Sequence, residues 1–213
     1  MENLLIEKRK LSTLALVSKS VYGEKLKNLK GADYREWSPS ASKLATAIKK
    51  GLSLDISEGS AVLYLGASTG TTASHISDLV GRKGIVFAVE KAFRPSQQLV
   101  FLAEERKNIA PIFADAGKID DYSKRITTVS WLYQDISQRN QVQIFLDACN
   151  AFLEKGCQAV IAVKARSIDF KKPTKEVFAE AKKQISSALN VEQEFTLEPF
   201  QKDHCIFACR KVN

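Results

Sequence analysis

The chain predicts an α/β protein: a mostly parallel seven-stranded sheet with a terminal antiparallel strand, plus a small N-terminal β-rich domain. Three observations carry this. From Ala61 onward, short apolar runs alternate with segments of helical period, the pattern of a parallel sheet covered on both faces. The last two apolar runs follow each other without a helix between them, so they pair antiparallel at one edge. Residues before Trp37 differ in kind: they are basic and carry Gly23, Gly31 and short strand-like runs. The expected division is 1–37 for the small domain and 38–213 for the larger one.

In chain order, Leu11–Val17 and Ala32–Trp37 read as short strands of the small domain. Pro39 opens a helix running through Lys43 to Lys50, since proline is tolerated in a first turn. Val62–Leu65 is the first buried strand; it feeds the turn Gly66-Ala67-Ser68-Thr69-Gly70 and the helix Thr71–Val80. Further strands are expected at Ile85–Val89, Ala110–Ala114, Val129–Tyr133, Ala159–Val163, Glu192–Leu197 and Cys205–Cys209. Helices are expected at Ser96–Asn108, Tyr122–Ile126, Gln138–Glu154 and Lys175–Leu189. Val142, Phe145, Leu146, Cys149 and Phe152 recur at helical spacing, and that face is core.

A net charge of +8 over 213 residues favours an anionic partner, nucleic acid before acidic membrane. No apolar run is long enough to cross a bilayer, and Met1–Lys10 lacks the apolar centre of a secretory signal, so a cytoplasmic location is expected. Cys149, Cys157, Cys205 and Cys209 have no CxxC spacing and the chain has two histidines, so no metal site is expected and all four thiols are read as reduced and buried.

Ligands of an open parallel sheet bind outside the carboxyl ends of its strands. Five groups stand there: the Gly66–Gly70 turn, Glu90, Asp115, Asp135 and Lys164. Glu90 lies at the separation from the turn that suits a carboxylate on ribose hydroxyls. Asp115, followed by small Ala116, can accept a hydrogen bond from an exocyclic amine. The turn reads G-x-x-x-G rather than G-x-G-x-x-G, which weakens the case for a dinucleotide. S-adenosylmethionine, a nucleoside with an amino-acid tail, needs no pyrophosphate cradle. Helix capping alone also explains threonine and glycine at this place. Asp135 and Lys164 suit proton abstraction, with Lys43 and Arg166 as positive neighbours that lower a lysine pKa. An ordinary rim salt bridge is the competing reading. His204 is within reach of the same rim, or is a structural or surface group, as His75 is expected to be. Trp37 and Trp131 read as packing residues. Lys171-Lys172 has a better claim on phosphate than the solvated Lys182-Lys183.

The segments Val62–Thr72, Ala88–Glu90, Asp115-Ala116, Ile161–Asp169 and Leu197–His204, with Tyr22–Lys25, Tyr34–Trp37 and Ser42–Ala45, resemble fibrillarin in its archaeal form. The resemblance runs from about Val21 to Lys211. It implies a Rossmann-like S-adenosylmethionine-dependent methyltransferase that modifies the ribose 2′-hydroxyl of rRNA, and of tRNA. It implies a catalytic set of Lys43, Asp135, Lys164 and His204, in which Asp135 orients Lys164 and Lys43 and His204 position the substrate. Cofactor contacts are implied at Ala67, Thr71, Thr72, Glu90, Asp115, Ala116, Asp135 and Gln138, beside Gly66 of the turn. Implied partners are a C/D-box guide RNA with its target, a Nop-type scaffold protein and a kink-turn-binding ribosomal-like protein. Three departures stand out: Thr69-Gly70 for the usual Ser-Gly, Lys91 for the phenylalanine after the ribose-binding glutamate, and Ser130-Trp131 for Asp-Val. Lys91 keeps open an assembly subunit without catalysis. A nicotinamide-dependent oxidoreductase on a similar sheet is the other competing expectation.

Overall fold

A computed structural model describes residues 3–7 and 10–212. Met1, Glu2, Lys8 and Arg9, part of the N-terminal stretch read for a secretory signal, lie outside them, as does Asn213. Four short strands come first: β1 (Leu4–Glu7), β2 (Lys10–Leu14), β3 (Leu26–Leu29) and β4 (Ala32–Glu36). They form an antiparallel sheet in the order β1-β2-β4-β3. The sequence pattern marks β2 and β4 and misses β1 and β3. The missed strands are the two edges, and neither has a buried residue, so no clear period marks them.

The larger unit follows. It contains α1 (Lys43–Lys49), β5 (Ala61–Leu65), α2 (Thr71–Val80), β6 (Ile85–Glu90), α3 (Phe93–Arg106) and β7 (Ile109–Phe113). Then come β8 (Val129–Gln134), α4 (Gln141–Phe152), β9 (Leu153–Lys164), α5 (Ala165–Ile168), α6 (Thr174–Ser186), β10 (Asn190–Thr196) and β11 (His204–Arg210). The seven-stranded sheet has the order β10-β11-β9-β8-β5-β6-β7. Pairing is parallel from β9 to β7, and β11 runs antiparallel between β9 and β10. The chain winds outward from β5 in both directions, so the crevice between β5 and β8 is the switch point.

Alternation along each strand builds two cores. Val62, Tyr64, Trp131, Tyr133 and Ile206 pack with α1, α2 and α3 on one face. Leu63, Leu65, Leu132, Ile161 and Phe207 pack with α4 and α6 on the other. Trp131 is fully buried, and its indole N–H donates to Gln158 Oε1 at 2.8 Å. No helix among the described residues is long and apolar enough to cross a membrane.

Several boundaries move. The first helix opens at Lys43 rather than Pro39, because Ser42 is its cap and accepts the Ala45 N–H at 3.3 Å. Tyr122–Ile126 is not an α-helix. Two 3₁₀ turns, Ile119–Asp121 and Ser123–Arg125, flank Tyr122, whose buried hydroxyl donates to the Ala116 carbonyl and holds the loop. The helix expected from Gln138 starts at Gln141, since the Gln138 side chain is bonded to Asp115. It ends at Phe152, where β9 begins much earlier than expected. Of the four thiols, Cys157 is only half-buried, beside the bend at Gly156.

The small sheet is joined to α2 by a buried polar network. Asp78 on α2 accepts from Arg35 Nη1 at 2.7 Å, Arg106 Nη2 at 2.6 Å and the Thr13 hydroxyl at 2.7 Å. With its proton given to Asp78, Thr13 Oγ1 accepts from His75 Nδ1 at 2.8 Å, leaving His75 Nε2 to accept from the Tyr22 hydroxyl at 2.7 Å. The ring stacks on Trp37 at 4.8 Å. His75 is thus structural, neutral and fully buried. Burial, aided by the charges of Arg35 and Arg106, holds it well below its ordinary value of 6.5. Below that pH the unfolded chain binds a proton that the folded chain does not. We therefore predict that stability is insensitive to His75 above pH 6.5 and falls as pH drops below it, by up to about 1.4 kcal/mol per pH unit. His204, also held low, acts in the same direction. Urea melts at pH 7, 6 and 5 measure this, and a flat profile would contradict the burial of a neutral imidazole.

Candidate functional site

The carboxyl ends of β5, β6 and β8 part at the switch point around a cavity of about 210 Å³. Gly66, Glu90, Lys91, Ala116, Asp135 and Gln138 line it. Gly66 has φ +84°, and a Cβ there would collide with the Asp135 carbonyl oxygen. The close approach that demands this glycine is therefore made by the chain's own backbone, where β5 and β8 leave the sheet side by side. Gly70, at φ +95°, lets α2 start against Leu102.

Glu90 is held by two backbone donors. Its Oε2 accepts the Ser68 N–H at 2.8 Å and its Oε1 the Ala92 N–H at 2.7 Å. This sets a carboxylate on the cavity wall with lone pairs to spare. Asp115 Oδ1 accepts from Gln138 Nε2 at 2.7 Å and from the Gly117 N–H at 3.0 Å. Lys91 Nζ stands 3.4 Å from Asp115 Oδ2. The Gln138 amide above all, then Gly117 and Lys91, hold the Asp115 carboxyl below its ordinary value. The departure at Lys91 thus has a local partner: a cation at the cavity wall, paired with the carboxylate that follows β7.

Of the expected cofactor contacts, Ala67, Thr71, Thr72 and Asp115 do not line this cavity. Ala67 is buried, and the Thr72 hydroxyl donates to Ser42 Oγ at 3.0 Å, tying α2 to the cap of α1. Ala67 belongs to the turn itself, and Thr71 and Thr72 open α2.

The four residues expected to be catalytic converge on the same rim from four elements. Lys43 opens α1, Asp135 follows β8, Lys164 ends β9 and His204 begins β11. Lys43 Nζ donates to Asp135 Oδ2 at 2.9 Å. Asp135 therefore pairs with Lys43, not with Lys164 as expected. Lys164 and His204 are register partners across β9 and β11. Among the described residues the Lys164 side chain makes no ion pair. Arg166, expected as its positive neighbour, is engaged with Asp203 at 3.4 Å and with the Phe170 carbonyl at 2.9 Å.

His204 Nδ1 donates to the Lys202 carbonyl at 2.7 Å, which leaves Nε2 as the free nitrogen of the neutral ring. Burial above all lowers its pKa from 6.5; the Lys202 carbonyl opposes this, while Lys43 and Lys164 push further down and Asp135 up. The imidazole is neutral at pH 7, and all four side chains belong to one electrostatic cluster.

Gln141 is a site residue that the sequence pattern does not reveal. It is fully buried, accepts the Lys164 N–H at 3.0 Å, and donates to the Lys164 carbonyl at 3.3 Å and the Gln138 carbonyl at 3.0 Å. One amide thereby clamps the peptide of Lys164 and the backbone of a cavity residue. A glutamine at the first turn of an apolar helix is the only local signal, and it does not name these partners.

The family model described as fibrillarin matches residues 3–213. The fibrillarin-like rRNA/tRNA 2′-O-methyltransferase of Thermococcus gammatolerans is 44% identical over 204 residues, covering 95% of this chain and 90% of the relative. A fibrillarin of Aeropyrum pernix, solved with natively bound S-adenosyl-L-methionine, superposes with TM-score 0.88 at 36% identity, covering 97% of this chain and 92% of that one. A fibrillarin solved in complex with Nop5p superposes with TM-score 0.91 at 38% identity, covering 99% and 98%.

Proposed function

The chain belongs to the fibrillarin family, and on that premise we propose that it methylates the ribose 2′-hydroxyl of rRNA and tRNA from S-adenosylmethionine, as the catalytic subunit of a C/D-box guide ribonucleoprotein. Its fold is that of the S-adenosylmethionine-dependent methyltransferases. The observation that carries the proposal is the convergence of a cavity with a fixed carboxylate, Glu90, and a lysine–aspartate–lysine–histidine cluster on one rim.

The cavity suits a nucleoside. Glu90 offers acceptors for two ribose hydroxyls, Ala116 leaves room for a flat ring, and Asp115, held beside the cavity by Gln138, offers an acceptor to an exocyclic amine. Ala67 lies within the turn, and Thr71 and Thr72 stand just beyond it at the start of α2. S-adenosylmethionine, when bound, supplies a methyl group already activated on a sulfonium. The chain then has to supply alignment and proton removal. Asp135, pinned by Lys43, fixes the inner end of the cavity. Lys164, made neutral as the substrate binds, takes the hydroxyl proton on its amine, on a backbone that Gln141 holds still. Neutral His204 offers Nε2 to the ribose, and Lys43 adds positive charge for the adjoining phosphate. Lys91 closes the outer end and gives no ground for a subunit without catalysis.

Guide pairing supplies the sequence choice, so the chain needs only to grip backbone, for which a charge of +8 serves. We assign the remaining partners as a Nop-type scaffold and a kink-turn-binding protein, and the location as the cytoplasm. The division we propose is 1–37 for the small β-rich domain and 38–213 for the methyltransferase core. With reconstituted partners, tritiated methyl groups should enter guide-matched RNA at one nucleotide; their absence with cofactor bound would overturn the proposal. Glu90→Ala should weaken S-adenosylmethionine binding tenfold or more in calorimetry, about 1.4 kcal/mol or above. Unchanged affinity would remove the ribose assignment.

A further inference from the structure

Two phenylalanines border the catalytic rim with their rings in solvent. Phe170, between α5 and α6, is 78% exposed, and Phe200, before β11, is 48% exposed. Single exposed apolar residues are ordinary. These two share a place and a setting. Phe170 lies beyond Lys164 at the exit of β9, and Phe200 lies just before His204 at the entry to β11, and those strand ends are register partners. A cation stands over each ring: Arg166 Cζ at 5.7 Å from the Phe170 centroid and Lys49 Nζ at 5.7 Å from that of Phe200.

Both loops are tied down. Arg166 donates to the carbonyls of Phe170 and Lys172 and meets Asp203 on the other loop. Gln201 Nε2 donates to the Pro39 carbonyl at 2.6 Å, fixing the Phe200 loop to the approach to α1, which carries Lys43. The surroundings are basic: Lys49, Lys50, Lys171, Lys175 and Lys202 are exposed. Of the nearby acids, Asp203 pairs with Arg166, Glu180 with Lys172, and Asp169 accepts the N–H groups of Lys171 and Lys172; Glu198 and Glu176 remain. A surface that is aromatic and cationic together fits a polyanion with flat apolar faces.

We propose that Phe170 and Phe200 form an aromatic clamp on the RNA, one ring on each side of the acceptor nucleotide. The rings lie against the sugar and base edges displayed in the shallow minor groove, and the lysines around them meet phosphates. This rests on the 2′-O-methyltransferase reading, because it is that reaction which places RNA over Lys164 and His204. The clamp holds the strand in register with the reactive pair without reading sequence.

Both side chains are exposed, so their replacement leaves the core intact, which thermal melts verify. The full chain is titrated into a fluorescein-labelled guide–target duplex at low salt and followed by anisotropy. Phe170→Ala and Phe200→Ala should each weaken binding about tenfold, while Phe170→Tyr and Phe200→Tyr stay within about twofold. S-adenosylmethionine affinity should not change, and in the reconstituted particle the KM for target RNA should rise more than kcat falls. RNA affinity of the double alanine variant equal to that of the parent would overturn the clamp. So would a loss of scaffold-protein binding with RNA affinity intact, which would make the rings a protein contact. A parent chain that binds RNA but transfers no methyl would defeat the functional reading, while the anisotropy series would still decide the clamp.

Discussion

Lys164→Ala should lower the rate of methyl transfer at least a hundredfold while leaving S-adenosylmethionine affinity unchanged. A positioned proton acceptor contributes about 10²–10⁴-fold. The two other lysines beside the cavity and Asp135 are engaged, since Lys43 is pinned to Asp135 and Lys91 pairs with Asp115. The loss should not come from unfolding. The Lys164 side chain makes no ion pair among the described residues, and Gln141 holds its peptide rather than its side chain. Lys164→Arg separates charge from proton transfer: a guanidinium keeps the positive charge and does not give up its proton. If the lysine handles the proton, the arginine variant fails as badly as alanine; if it serves only as a cation, arginine restores the rate. Asp135→Ala should also be severe but different in kind. It removes a wall of the cavity and frees Lys43, so cofactor affinity should fall along with the rate. Single-turnover methyl incorporation and calorimetry measure both quantities. Full activity in Lys164→Ala would end the assignment.

Asp78→Ala should destabilise the fold by about 3–5 kcal/mol, the largest stability effect we expect from one substitution. Asp78 is fully buried and bonds Arg35, Arg106, Thr13 and the Leu16 N–H. Burial pulls the Arg106 pKa down to about 10 against the opposing pull of Asp78, so the guanidinium remains charged at pH 7. Removing Asp78 strands that charge in the core. Arg35 keeps Glu24, 2.6 Å away, so the damage centres on Arg106 and on the joint between the small sheet and α2. Urea unfolding at pH 7 measures the change. A loss below 1 kcal/mol would show that the network is an incidental pairing. The double variant Asp78→Leu with Arg106→Leu should recover part of the loss, because no buried charge is then left without a partner. Since α2 begins at the Gly66–Gly70 turn, this joint also braces the back of the cofactor cavity.

Lys164 and Asp78 differ in how far the sequence foretells them. Lys164 stands at the carboxyl end of a strand, a place that the apolar period of Ala159–Val163 marks locally. Asp78 has no such mark: it sits within a helix recognised only by its period, and its partners come from β4 and α3. Edge strands β1 and β3 escape notice because they bury no face. Of the four converging groups, Asp135 and Lys164 are legible because strand ends follow from apolar periodicity, whereas Lys43 and His204 join the set only through the family resemblance.

By itself, the sequence determined the doubly wound sheet, the antiparallel last pair, the glycine turn and the residues at the strand ends, because each rests on a repeat or a turn within a short window. Only the tertiary structure decided which rim residues hold which. Lys43 and Asp135 are 92 positions apart, and their bond depends on the fold bringing the first residue of α1 to the residue that follows β8. The same holds for Gln141 clamping Lys164 and for Lys91 pairing with Asp115. Period and propensity act over a few residues, whereas a side chain's partner is chosen by whatever packing brings within about 3 Å. That choice belongs to the folded chain alone.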